Sequence, residues 1–284
     1  MAPAKISTKA TAKAPSILSL PLDTRGDDRL LRFNQLLYLP ETGIWVPGKK
    51  STHILDLTSL FDRTKTSWFT DDYVGFNEEV MKQAKKAAAD SSNEASSSSS
   101  SSNRSLIFNL SRAHWYNDSK LIATKPGHIY RDMNNEVDAP IGGEDDTNHR
   151  SSILAEYSSP LLAYGVADIS FPADSLHSSH TIKVRPLNAT RRSQSFVQDS
   201  VTYAWDVNKK LFPGGGGVLS LYKGVGAVKK IEIGRYQSNS GKFTPGGVLV
   251  IDAEEVDVLV AVLTLLAVLA QRDSFCFPTG AHVA

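Results

Sequence analysis

The spacing of apolar and polar positions changes character along the chain. From residue 104 onward, short runs of β-branched, aromatic and aliphatic residues recur, separated by Gly, Pro, Asn and Ser. They predict strands over 106–110, 128–133, 153–157, 163–171, 181–184, 201–205, 218–222, 228–233 and 247–251. Period-two alternation is clearest at Val201, Tyr203 and Trp205. In 228–233, Ile231 and Ile233 fall on one face and Lys230 and Glu232 on the other. Lys229 breaks strict alternation, which predicts a bulge or a strand end there. Closely spaced short strands with turn residues between them predict an all-β sandwich or barrel.

The pattern then gives way to a run that is apolar on every side. Between Val258 and Ala270 only Thr264 interrupts it. Asp252 followed by Glu255 has the spacing of a capping box. Glu254, Glu255 and Asp257 sit near the positive end of the helix dipole and Arg272 near the negative end, so a helix over 253–272 is expected. A helix apolar all round is either enclosed by protein or embedded in lipid. A membrane span needs about 20 apolar residues to cross about 30 Å. The run from Val258 to Ala270 rises only about 20 Å. It is also led in directly by the strand-like GGVLVID. Both features favour enclosure. The alternative is a tail-anchored membrane protein displaying a β domain, with residues 256–270 as the anchor. An enclosed helix must be wrapped by the preceding strands, and a sheet closed around it has no free edges. The expected fold is therefore mainly β: an antiparallel closed β-barrel enclosing a C-terminal hydrophobic α-helix.

The first third of the chain reads differently. Residues 1–27 are rich in Ala, Lys, Ser and Thr and are expected to form a disordered tail. Residues 91–103, SSNEASSSSSSSN, offer nothing to bury and read as a low-complexity linker. Between them, 28–90 reads as a partly ordered extension. Residues 30–39 fit a short helix or a strand, 43–46 and 54–60 look strand-like, and 78–89 is a helix by propensity with few apolar anchors. The barrel domain is placed at 104–278, with its central helix at 253–272.

Composition narrows the function classes. The chain has 284 residues, 41% hydrophobic, with a net charge of +1. That balance gives no reason to expect nucleic acid, which selects basic domains. A single cysteine, Cys276, excludes an intramolecular disulfide and a cysteine-built metal site and fits a reducing interior. The N-terminal apolar patch 17–22 is short and broken by Pro21, too little for a secretory signal. The expected location is cytoplasmic, with peripheral contact at a membrane as a further expectation.

No constellation for catalysis emerges. Gly214 to Gly217 precede a strand-like run rather than the Lys-Ser/Thr and helix of a phosphate-binding loop. Glu144, Asp145, Asp146 and His149 read as a solvated acidic loop, without EF-hand spacing. His177 and His180 lie in Ser-rich surroundings and read as loop residues rather than zinc ligands. No G-x-S-x-G elbow is present. The chain is expected to be non-enzymatic, with no cofactor and no metal. Basic residues are the better lead. Lys183, Arg185, Arg191 and Arg192 flank one expected loop, and Lys223, Lys229, Lys230 and Arg235 surround another. Cations near an anionic membrane surface contribute about 1 kcal/mol each. Lys183, Arg185, Arg191, Arg192, Lys229, Lys230 and Arg235 are the candidate lipid-contacting residues.

Two segments carry a family resemblance: SFVQDSVTYAWDV at 195–207, and GGVLVIDAEEVDVLVAVLTLLAVLAQRD at 246–273. Short strands followed by a capped, fully apolar C-terminal helix resemble the tubby C-terminal-like superfamily, which includes tubby proteins, phospholipid scramblases and LURP-one-related proteins. The nearest likeness is to fungal uncharacterised domains of this type. The resemblance covers about 104–278 and implies a twelve-stranded barrel around a central helix. It also implies an intracellular module that binds a protein partner or anionic phospholipid headgroups. The lysine/arginine motif by which tubby proteins bind phosphoinositides has no residue-by-residue match here, and scramblase palmitoylation segments would need more cysteines.

Overall fold

The computed structural model describes residues 16–23, 33–40, 51–60, 68–69, 76–94, 105–114, 117–126, 152–160, 166–187, 193–207, 217–226, 228–239 and 246–276. Among them twelve strands form one closed antiparallel barrel. In chain order these are β1 (Gln35–Leu39), β2 (Ser51–Asp56), β3 (Ser105–His114), β4 (Asn117–Thr124), β5 (Ile153–Ser158) and β6 (Ala167–Ser170). They continue as β7 (Ile182–Pro186), β8 (Gln194–Gln198), β9 (Val201–Val207), β10 (Val218–Val225), β11 (Lys229–Ser238) and β12 (Gly247–Ile251). Each strand pairs with its sequence neighbour, and β1 closes the ring against β12, with Leu37 opposite Leu249. Helix α1 (Glu78–Glu94) packs outside, and helix α2 (Val258–Cys276) fills the lumen.

The lumen is built by alternation. Every strand sends apolar side chains inward at alternate positions. Examples are Leu37 and Leu39 from β1, Phe108 and Leu110 from β3, Ile182 and Val184 from β7, and Ile231 and Ile233 from β11. These meet α2, whose residues from Leu259 to Leu269 are all buried. The barrel closes around a helix with no polar face because each of its sides meets a different strand set. Thr264, the one polar break, accepts a hydrogen bond from Trp205 Nε1 at 3.0 Å and donates to the Ala261 carbonyl at 3.1 Å. Gln194 Nε2 reaches the Ala267 carbonyl at 3.4 Å. The Trp205 indole N–H, the Thr264 hydroxyl and the Gln194 side-chain N–H are thereby each given a partner inside the barrel.

A second core lies on the outer wall of β1 and β12. Leu36 and Tyr38 of β1 and Val248 and Val250 of β12 face outward and are covered by Val80, Ala84 and Ala87 of α1, with Phe33, Trp68, Phe69 and Phe76. This explains the unbroken run GVLVI: its odd positions, Leu249 and Ile251, face the lumen, and its even positions face α1. The same double burial makes QLLYL ambiguous between helix and strand when read by period alone.

Several boundaries differ from the sequence expectation. The barrel does not begin at residue 104, because β1 and β2 from the 28–90 stretch are two of its staves and β1 supplies the closing seam. β4 lies in NDSKLIAT, too polar at its start to have been expected, and β8 is another strand outside the expected set. Helix α1 runs to Glu94, into the Ser-rich segment. The central helix is Val258–Cys276 rather than 253–272. Asp252 caps a tight turn instead, its Oδ1 accepting from Glu254 N–H at 3.1 Å and its carbonyl from Glu255 and Val256. Asp257 is the true N-cap, accepting from Val260 N–H at 3.0 Å. β11 begins at Lys229, so the break in alternation there is a strand end. The bulge falls further on, between the Leu221 and Tyr222 pairings with β11.

The strand expected at 128–133, the acidic stretch 144–149, the glycines 214–216 and residues 1–15 and 95–103 lie outside the described residues. Val256 and residues 259–269, within the stretch 256–270 read alternatively as an anchor, are buried in the same core as the inward-facing residues of the strands. Among the described residues no helix is long and apolar enough to cross a membrane.

Candidate functional site

The chain leaves β12 at Ile251, turns through residues 252–257 and enters the lumen as α2. The rim where this happens, the entrance rim, also carries the β6–β7 connection (171–181), the β8–β9 hairpin at Asp199 and Ser200, and the β10–β11 hairpin at Gly226. Gly226, at φ +59°, supplies the left-handed residue that the last of these turns requires.

Polar side chains on this rim converge on the helix start. His177 Nδ1 lies 2.8 Å from Asp257 Oδ2, while the other oxygen of Asp257 caps the helix. Gln198 Nε2 donates to the His177 carbonyl at 3.0 Å, tying the β6–β7 connection to β8. Lys223 pairs with the Glu255 carboxylate at 2.5 Å, and Tyr203 donates to the Glu255 carbonyl at 3.1 Å. Burial, assisted by the nearby Glu255 and Asp199 carboxylates, pushes the Tyr203 hydroxyl up to about 12. This set latches the helix into the barrel mouth. The sequence held both halves of the latch, but nothing in DSLHSSH says that a residue 80 positions later completes it.

The hydrogen bond to Asp257 holds the His177 imidazolium above the usual histidine value of 6.5; burial opposes this and the carboxylate charge adds to it. A group raised on folding contributes stability in full below its unfolded value and loses it as pH rises through its folded value. The urea midpoint should therefore fall between a pH of about 5.5 and about 8.5 in the wild-type chain, and fall less in His177→Asn. Equal pH slopes for the two proteins would contradict the latch.

The five described candidate cations do not form one patch. Lys183 is exposed on the outer face of β7. Arg185, on the same strand, binds Asp168 at 2.6 Å and the carbonyls of Ala167 and Val184. Lys229 pairs with Asp23 at 2.6 Å. Lys230 donates to the Leu18 carbonyl at 2.8 Å and sits 4.7 Å over the Tyr222 ring; burial lowers its pKa. Arg235 is buried, doubly bonded to Glu232 at 2.9 Å and stacked 5.1 Å from the Phe69 ring centroid, so it is withdrawn from any surface ligand. Arg191 and Arg192 lie outside the described residues. β7 and β11 are four strands apart in the ring, about 19 Å along the wall at about 4.8 Å per strand.

The entrance rim has a different texture. All five large apolar side chains exposed among the described residues lie there: Leu22, Leu60, Leu176, Val197 and Val228. Leu176 is 100% exposed and Val228 72%. Between them stand both signs of charge, with Lys223 and Lys229 each already facing a carboxylate. Apolar side chains and paired charges of both signs thus share the described part of this rim. Comparison of the chain with protein-family models, with curated proteins and with solved structures finds no match to any of them.

Proposed function

We propose that this chain is an intracellular, non-enzymatic, tubby-like binding module that meets a protein partner from the outside of its barrel. The observation that carries this reading is the filled lumen. Barrels that hold small ligands do so inside; here the inside is α2 and the side chains packed on it, which leaves recognition to the rims and outer wall. The polar groups at the entrance are engaged in latching the helix, which is a structural use of His177, Asp257, Glu255 and Tyr203 rather than a catalytic one. The barrel closed around a C-terminal apolar helix is also the arrangement that the tubby-like resemblance implies.

A second reading, contact with anionic phospholipid headgroups, is favoured by one observation: Lys183 is exposed, and the pairs made by Arg185 and Lys229 are themselves part-exposed. Exposed pairs of this kind contribute at most about 1 kcal/mol and can trade a carboxylate for a phosphate. Flotation of the full chain with liposomes separates the readings. The protein-partner reading predicts no flotation on phosphoinositide-containing vesicles beyond that on neutral ones. Flotation that depends on phosphoinositide, weakens with salt and is lost on Lys183→Glu would replace it with the lipid reading.

A further inference from the structure

β11 is longer than its partner β12. It pairs with β10 from Lys229 onward but with β12 only from Gly234 onward. The first half of β11 therefore has a backbone edge that β12 leaves open. Open edges are templates for another extended chain. Here the edge is taken by the chain's own N-terminal segment, residues 16–23, SILSLPLD. Lys230 N–H donates to the Pro21 carbonyl at 3.0 Å, and the Lys230 carbonyl accepts from Asp23 N–H at 2.8 Å, forming a parallel bridge with Leu22. The side chains fit as well. Ile17 is buried in a short 3-10 turn against Gly224, where a Cβ would come within 3.4 Å of Ile17 Cδ1. Lys230 Nζ holds the Leu18 carbonyl, and Lys229 holds the Asp23 carboxylate.

We propose that this seat is a peptide-binding site, and that residues 16–23 are a built-in pseudo-ligand which a partner's extended peptide displaces. The site's chemistry specifies the occupant: an aliphatic anchor for the Gly224 surface, an extended backbone pairing at Lys230, and an acid about six residues after the anchor for Lys229. The inference rests on the protein-partner reading and names the partner's contacting element. Residues 24–32 tether the segment to β1. A short tether holds it at an effective concentration in the millimolar range, so a competing peptide meets a site that is occupied but not sealed.

The test uses the full chain and a labelled synthetic peptide of residues 16–23. Ile17→Asp combined with Asp23→Lys releases the tethered segment by removing its anchor and its ion pair. The peptide should bind this variant at least about tenfold more tightly than it binds the wild-type chain. Lys229→Glu added to the variant should weaken that binding. Equal binding to both proteins, or no binding to a released variant that keeps the wild-type thermal transition, would overturn the proposal. If the double variant melts early, Asp23→Lys alone, which disturbs only a part-exposed pair, is compared instead, with a gain of about two- to fivefold expected and equal binding overturning the proposal. A doubled mass of the wild-type chain by light scattering, with the segment exchanged between two copies, would overturn the free-peptide occupant. Failure of the peptide to bind leaves the outer-surface reading standing, because flotation tests that separately.

Discussion

Leu263→Asp is expected to abolish the cooperative fold. Leu263 is fully buried at the centre of α2, in the same core as side chains from all twelve strands. A carboxylate placed there has no described cation in the apolar cluster around it. The effective penalty for burying an unpaired charge is several kcal/mol, against a total domain stability of about 5–15 kcal/mol. Leu263→Ala, which removes only packing, should cost about 2–5 kcal/mol and leave a folded protein. Val228→Asp on the entrance rim should change stability by no more than about 0.5 kcal/mol. Thermal melts of the three variants check the order. A membrane anchor would behave in the opposite way: Leu263→Asp would leave the barrel's melting transition intact and release the chain from membranes.

Gly247→Ala is expected to be the most damaging glycine substitution among those described. Gly247 opens β12, where it pairs with Ser238 on one side and Leu39 on the other. A Cβ there would lie 2.1 Å from the Gln237 carbonyl oxygen and 2.8 Å from Ser238 Cα. These are backbone atoms, so no side chain can swing aside. The strands must separate at the seam that carries both the lumen core and the outer core under α1. The cost should reach the upper end for overpacking, about 3 kcal/mol or more, a fall of roughly 6–12 °C in melting temperature for a domain of this size. Gly226→Ala offers the contrast. Nothing lies within 4 Å of its Cβ position, so only the positive φ costs energy, about 1 kcal/mol. Equal melting shifts for the two variants would show that the β11–β12 seam is not packed as described.

The features legible in the sequence are those that depend on local pattern. Val201, Tyr203 and Trp205 alternate because only one face of β9 meets the helix, and the apolar run at 258–270 has no polar face because it has no solvent side. The unreadable features depend on distant partners. QLLYL and GVLVI are buried on both faces because α1 covers the outside of the seam, and no period in either strand reports that. The helix start lies about one turn beyond the position its sequence suggests because Asp252 and Asp257 are both good cap residues, and only the turn between them decides which one starts the helix. Cations close in sequence are not thereby close on the barrel surface. The ring places β7 four strands from β11, and Arg235 is held against Glu232 under the Phe69 ring of the outer core, a contact between distant segments that sequence proximity does not report. His177 gave no signal at all, since its partner lies on another element.

The central claim is that α2 is the barrel's core and not a separable element. Native-state hydrogen exchange of the amides of residues 259–269 in the full chain tests it most directly. Enclosure predicts that these amides exchange only through global unfolding, with opening free energies equal to the unfolding free energy from urea melts and to those of the β9 and β10 amides. Exchange of the helix amides well ahead of the strand amides, through an opening that leaves the strands protected, would contradict it.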